Sequence, residues 1–137
     1  MPTIIRNGDT SYAQKGAHFE GRVKIDGNFI VPARTDFFGH LTVTGTLELG
    51  PGSSIALGVN CRNAVIGRQS IIKGPLVAQG DVTILDNSVV HSVSAEGKVI
   101  LCKGVRVGDV TSKDTIIIHG SIKSGKLVGK KMKVLGE

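Results

Sequence analysis

The sequence predicts an all-β fold, a single-domain parallel β-helix of about seven coils of 17–18 residues with three short strands per coil. Three observations predict it. Val31, Leu49, Ile66, Ile84, Leu101, Ile118 and Leu135 recur at spacings of 17 or 18, and Val23, Leu41, Val59, Leu76, Val93, Val110 and Leu127 form a second column in the same phase. Inside each coil the apolar residues lie two apart, the period of a strand with one face buried. Glycines fall in phase with the columns, where a winding chain must bend.

Before the first rung, residues 1–16 are polar after Ile5 and are expected to form a flexible N-terminal tail, leaving 17–137 as the β-helix domain. A third inward column then reads Phe19, Phe37, Ile55, Ile72, Val89, Val105 or Val107, and Ile122. Next comes a corner column, Gly21, Gly39, Leu57, Gly74, His91, Gly108 and Gly125. The following strand carries pairs such as Val23 and Ile25, and the column Ile25, Val43, Cys61, Ala78, Ala95, Ser112 narrows to small residues, as a restricted interior requires. A second corner column, Gly27, Gly45, Asn63, Gly80, Gly97 and Asp114, holds only Gly, Asn and Asp, the residues that most readily take positive φ. The Val31 ladder closes the coil.

Coils stacked as parallel strands rise about 4.8 Å each, which makes a rod of about 30 Å. An α-solenoid is excluded, because the inward spacing is 2 and glycine at every bend destabilises helices. The right-handed form is favoured: a left-handed β-helix needs an aliphatic residue every sixth position, and that register runs from Ile66 through Ile72, Ala78, Ile84 and Val90 into Glu96.

With 40% hydrophobic residues, one Tyr, four Phe and no Trp, the chain suits a narrow aliphatic core and not a disordered segment. It has neither an apolar run long enough to span a bilayer nor a signal-peptide core, so a cytoplasmic location is expected. Cys61 and Cys102, 41 residues apart, are expected to be free thiols on different faces. Of the net charge of +6, residues 121–137 supply +4 through Lys123, Lys126, Lys130, Lys131 and Lys133 against Glu137.

The run from Phe19 to Ile55 repeats the form F-x-G-x-ϕ-x-ϕ-x-G: Phe19, Gly21, Val23, Ile25, Gly27, then Phe37, Gly39, Leu41, Val43, Gly45. This resembles the bactofilins, the polymer-forming cytoskeletal family of bacteria, over about residues 17–135. The resemblance implies a right-handed β-helix that assembles end to end, without nucleotide, into non-polar filaments that scaffold other proteins. It also implies an N-terminal segment that touches membrane. The chain departs from the pattern in having almost no tail after Leu135.

No catalytic, cofactor-binding or metal residue is assigned. Gly120-Ser-Ile-Lys-Ser-Gly125-Lys126-Leu127 misses a phosphate-binding P-loop at its last position, and Gly125 and Leu127 are ladder positions. His40 and His91 share a phase but lie about 14 Å apart, too far for one zinc ion within a chain. Attention therefore moves to the two ends, where strand edges and core stand open and no polar cap is written. The expected polymer interface is Phe19, Phe29, Phe37 and Phe38 at the N-terminal coil and Leu127, Val128, Met132, Val134 and Leu135 at the C-terminal coil. A self-partnered homopolymer is the first reading, with Ile4, Ile5 and Arg6 as a contact to an anionic membrane surface. Nucleic acid is disfavoured because no aromatics interleave the lysines. The alternatives are a trimeric β-helix enzyme of acyltransferase or zinc carbonic-anhydrase type, and a discrete binding module of a larger complex.

Overall fold

A computed structural model describes residues 3–136; the first two residues of the expected tail and the Glu137 charge lie outside the described residues. The described chain is all-β, with no helix, and its strands join into one continuous sheet wound as a parallel β-solenoid of about seven turns.

Each turn presents three faces. The first face stacks Thr10–Ala13, Asn28–Val31, the end of Leu41–Leu49, the end of Val59–Ile66, Val82–Ile84, Val99–Leu101, Thr115–His119 and Lys131–Leu135. The second runs from His18–Phe19 through Asp36–Phe37 and Ser54–Ile55 to Arg106–Val107. The third runs from Val23–Ile25 to Leu127–Val128. Both ladders hold: Val23, Leu41, Val59, Leu76, Val93, Val110 and Leu127 are successive partners, and so are Val31, Leu49, Ile66, Ile84, Leu101 and Ile118.

The core is the inside of the coil. Leu41, Leu47, Ile55, Ile66, Leu76, Ile84 and Leu101 are fully buried, each worth about 1.5–3 kcal/mol in apolar burial. The narrowing column Ile25, Val43, Cys61, Ala78, Ala95, Ser112 is buried throughout, as its shrinking side chains require.

Three registers differ from the sequence expectation. Val90, not Val89, lies over Ile72, because the strand pairing shifts between Ile72 and Pro75; Val89 points outward. Val107 continues that column, and Val105 belongs to another. The last rung is a residue short, so that Val134 stands over Ile118 and Leu135 over the exposed His119.

The column holding Val105 was not foreseen. Ala17, Thr35, Ser53, Ser70, Ser88 and Val105 follow one another one coil apart, all buried. Their hydroxyls take up inward-facing carbonyls: Thr35 Oγ1 donates to Pro32 O at 2.9 Å, Ser70 Oγ to Gly50 O at 3.2 Å and Ser88 Oγ to Gly67 O at 2.9 Å. They also join coils, since Thr35 N donates to Ser53 Oγ at 3.1 Å and Ser70 N to Ser88 Oγ at 3.3 Å. Buried polar groups are thus paired and not left costly.

One residue before this column lies the corner that needs the left-handed conformation. Gly16, Arg34, Gly52, Gln69, Asn87 and Gly104 all have positive φ, between 56° and 78°. The Gly27 column was expected to supply such bends; only Gly27 itself does, at φ 98°. Elsewhere the corner glycines answer to crowding. A Cβ on Gly39 would stand 2.5 Å from the backbone of Gly21 one coil below. The Asn and Asp at these corners bridge coils: Asn63 Oδ1 accepts from Asp81 N at 2.8 Å, and Asp81 Oδ1 accepts from Lys98 N at 2.8 Å.

Candidate functional site

The two ends of the solenoid are built differently. At the N-terminal end, residues expected to be a tail form a hairpin: Ile4–Asn7 pairs antiparallel with Thr10–Ala13, and the latter pairs with Asn28–Val31 as a rung of the first face. Gly8, with φ 64°, opens the two-residue loop that a tight hairpin requires. With the hairpin in place the inward residues Ser11, Ala13, Ala17, Phe19 and Ile25 are all buried. The hairpin covers the first coil, while its own outer strand, Ile4–Asn7, is exposed at every residue.

The N-terminal interface residues fare accordingly. Phe19, Phe29 and Phe37 are core, not surface: Phe19 stacks on Phe37 with ring centroids 4.8 Å apart, and Phe29 meets Phe37 edge-on at 6.1 Å. Bulk that reads as a sticky end is instead consumed filling its own coils. Phe38 alone is exposed, and it lies outside the second face beside His18, 6.3 Å away ring to ring. Of the proposed membrane contacts, Ile4, Ile5 and Arg6 are all exposed, and Arg6 donates from Nη1 to Asp26 O at 2.6 Å.

At the C-terminal end the five expected residues lie on two rungs, Leu127 and Val128 on the third face and Met132, Val134 and Leu135 on the first. Met132 continues the inward row of Ile116, and Val134 that of Ile118. Ile116 and Ile118 are 0% and 7% exposed, whereas Met132 and Val134 are 46% and 68% exposed, because among the described residues no rung lies over them. Leu127, over Val110, is half-buried, and Val128 and Leu135 add apolar surface at the rim. Lys123, Lys126, Lys130, Lys131 and Lys133 are all exposed around this patch. Among the described residues the ion pairs are His18–Asp36 and Lys113–Glu96, so none of these five lysines is in one. A groove of about 590 Å³ opens on the second face of the same end, lined by Asn87, Val89, Arg106, Ser121, Ile122 and Lys123.

Along the sides, Cys61 faces the core and burial pushes its thiol up to about 12, which removes it as a nucleophile. Cys102 sits near a bend on another face, its pKa raised by burial and then by the charge of Asp86. The stretch resembling a P-loop is one more turn of the coil: Gly125 N donates to Gly108 O, and no helix follows. Among the described residues no three His, Cys, Asp or Glu side chains are placed to hold a metal ion, and no helix is long and apolar enough to cross a membrane.

Compared with protein-family models, curated proteins and solved structures, the chain matches none.

Proposed function

We propose that this protein is a structural element that assembles end to end, without nucleotide, into filaments of the bactofilin kind that scaffold other proteins. The observation that carries the reading is the exposure of Met132 and Val134, side chains that continue core rows and are left in water. A second coil placed over them would bury apolar surface and pair the outer edge of Lys131–Leu135, both of which stabilise a stack.

The opposite end supplies the second contact that a filament needs. Ile4–Asn7 pairs with Thr10–Ala13 on one side only among the described residues, and Ile5 is 63% exposed. Contacts of like end with like end are two-fold and self-complementary, so a chain of them alternates direction and has no polarity. Ile4, Ile5 and Arg6, all exposed, are also where contact with an anionic membrane is proposed.

Negative-stain microscopy of the purified protein in nucleotide-free buffer tests the reading. Filaments support it. Compact trimers would favour the β-helix enzyme, and dispersed monomers that bind a separate protein would favour the module.

A further inference from the structure

The lysines gather where the proposed contact lies. Arg and Lys balance Asp and Glu through the first coils, but from residue 98 onward the sequence holds nine basic residues against Asp109, Asp114 and Glu137, the last outside the described residues. The first two have partners inside the stack: Asp109 Oδ1 accepts from Lys126 N at 3.0 Å, and Asp114 Oδ1 accepts from Thr115 Oγ1 at 2.9 Å. Neither is in an ion pair with the five terminal lysines.

A two-fold contact of last coil with last coil therefore sets one lysine ring against its copy. Facing rungs lie about 4.8 Å apart, so the opposed ammonium groups come within about a Debye length, about 8 Å at physiological salt. Like charges at that separation repel. Summed over two rings this opposes the burial of Met132, Val134 and their copies. Arg106 and Lys123, paired across the last coils, line the groove that opens at the same end, so an anion has a concave place to sit beside the contact.

Resting on the assembly reading, we propose that a multivalent phosphate-bearing anion binds the lysine ring of the last coil and licenses the end-to-end contact. Its phosphates bridge Lys123, Lys126, Lys130, Lys131 and Lys133 of the two copies and replace repulsion with paired charge. The occupant between the ends is a second copy of this chain together with the anion.

The test is sedimentation velocity at low ionic strength with inorganic tripolyphosphate, against sodium chloride matched in ionic strength. Tripolyphosphate is expected to raise the assembled fraction at least five-fold over the matched salt. Lys126→Gln, Lys130→Gln and Lys133→Gln together are expected to assemble without it, with thermal stability unchanged because all three side chains are exposed. Equal effects of tripolyphosphate and matched salt would overturn anion binding and leave assembly standing. So would full assembly of the wild type at low salt. Vesicles of phosphatidylserine and phosphatidylcholine that recruit unassembled wild type but not the triple Lys→Gln variant would overturn it in favour of a lipid surface at these lysines. Absence of assembly in every condition would overturn both this proposal and the reading it rests on.

Discussion

Val134 lies directly over Ile118 in the stack, yet Ile118 is 7% exposed and Val134 is 68% exposed. The two residues have the same place in the coil and differ only in whether another rung covers them. Changing them separates stability from assembly. Ile118→Ala is expected to cost about 2–4 kcal/mol in urea unfolding, from lost burial and a residual cavity. Val134→Ala is expected to change stability by less than about 1 kcal/mol, because the side chain is already in water, while lowering the assembled fraction in sedimentation.

Phe37 gives a contrasting case. It is 1% exposed and touches the rings of both Phe19 and Phe29. Phe37→Ala is expected to cost about 3–5 kcal/mol. Any loss of filaments should then track unfolding, so that lowering the temperature restores them. Filament loss in a variant with an unchanged urea midpoint would return Phe37 to the interface.

The left-handed corners offer a stabilising change. Gln69 holds φ 57° on a residue with a Cβ, at the position where Gly52 stands one coil before and Gly104 two coils after. Gln69→Gly relieves about 1–2 kcal/mol of strain and costs about 0.5–1 kcal/mol in unfolded-chain entropy, for a net gain of about 0.5 kcal/mol. Gly52→Ala, at φ 72°, is expected to destabilise by about 1 kcal/mol. Thermal denaturation of the two variants beside wild type checks both signs.

Cys61 sets an alkaline limit. Its thiol is raised from 9.0 to about 12 by burial, so the native state keeps its proton after the unfolded chain has lost it. Its contribution is therefore fully present below pH 9 and declines as pH rises from 9 towards 12, by about 1.4 kcal/mol per pH unit. Between pH 8 and pH 10, wild type is expected to lose about 1.4 kcal/mol more than Cys61→Ala does. Equal losses in urea titrations would contradict the burial of this thiol. Iodoacetamide at pH 8 is expected to spare Cys61 until the protein is unfolded.

The ladders were legible because a solenoid repeats its chemistry in register. Val23 to Leu127 could be read by counting, since each rung meets its equivalent one coil before and one coil after. Counting failed where the coil length changes. Between Thr115 and Lys131 the return takes 16 residues, which moves Val134 onto Ile118 in place of Leu135. The inward hydroxyl column was invisible for a different reason: Thr35, Ser53, Ser70 and Ser88 look like surface residues until the inward carbonyls of Pro32, Gly50 and Gly67 are known. The hairpin did leave a signal. Gly8-Asp9 between the Ile4–Asn7 and Thr10–Ala13 runs is a two-residue hairpin pattern, and Gly8 opens the turn. At the N-terminal end, nothing in the sequence tells an aromatic side chain that plugs a coil from one that offers itself to a partner. At the C-terminal end, Met132 and Val134 lie on the last rung, and Lys131 and Lys133 alternate with them.

The central claim is that the uncovered last coil drives assembly. It is tested most directly by sedimentation velocity on wild type and on Met132→Glu with Val134→Glu, in nucleotide-free buffer with tripolyphosphate. The account predicts large species for wild type and a discrete species no larger than a dimer for the double variant, both with the same circular dichroism and thermal midpoint. Large species of equal size in a folded double variant would contradict it.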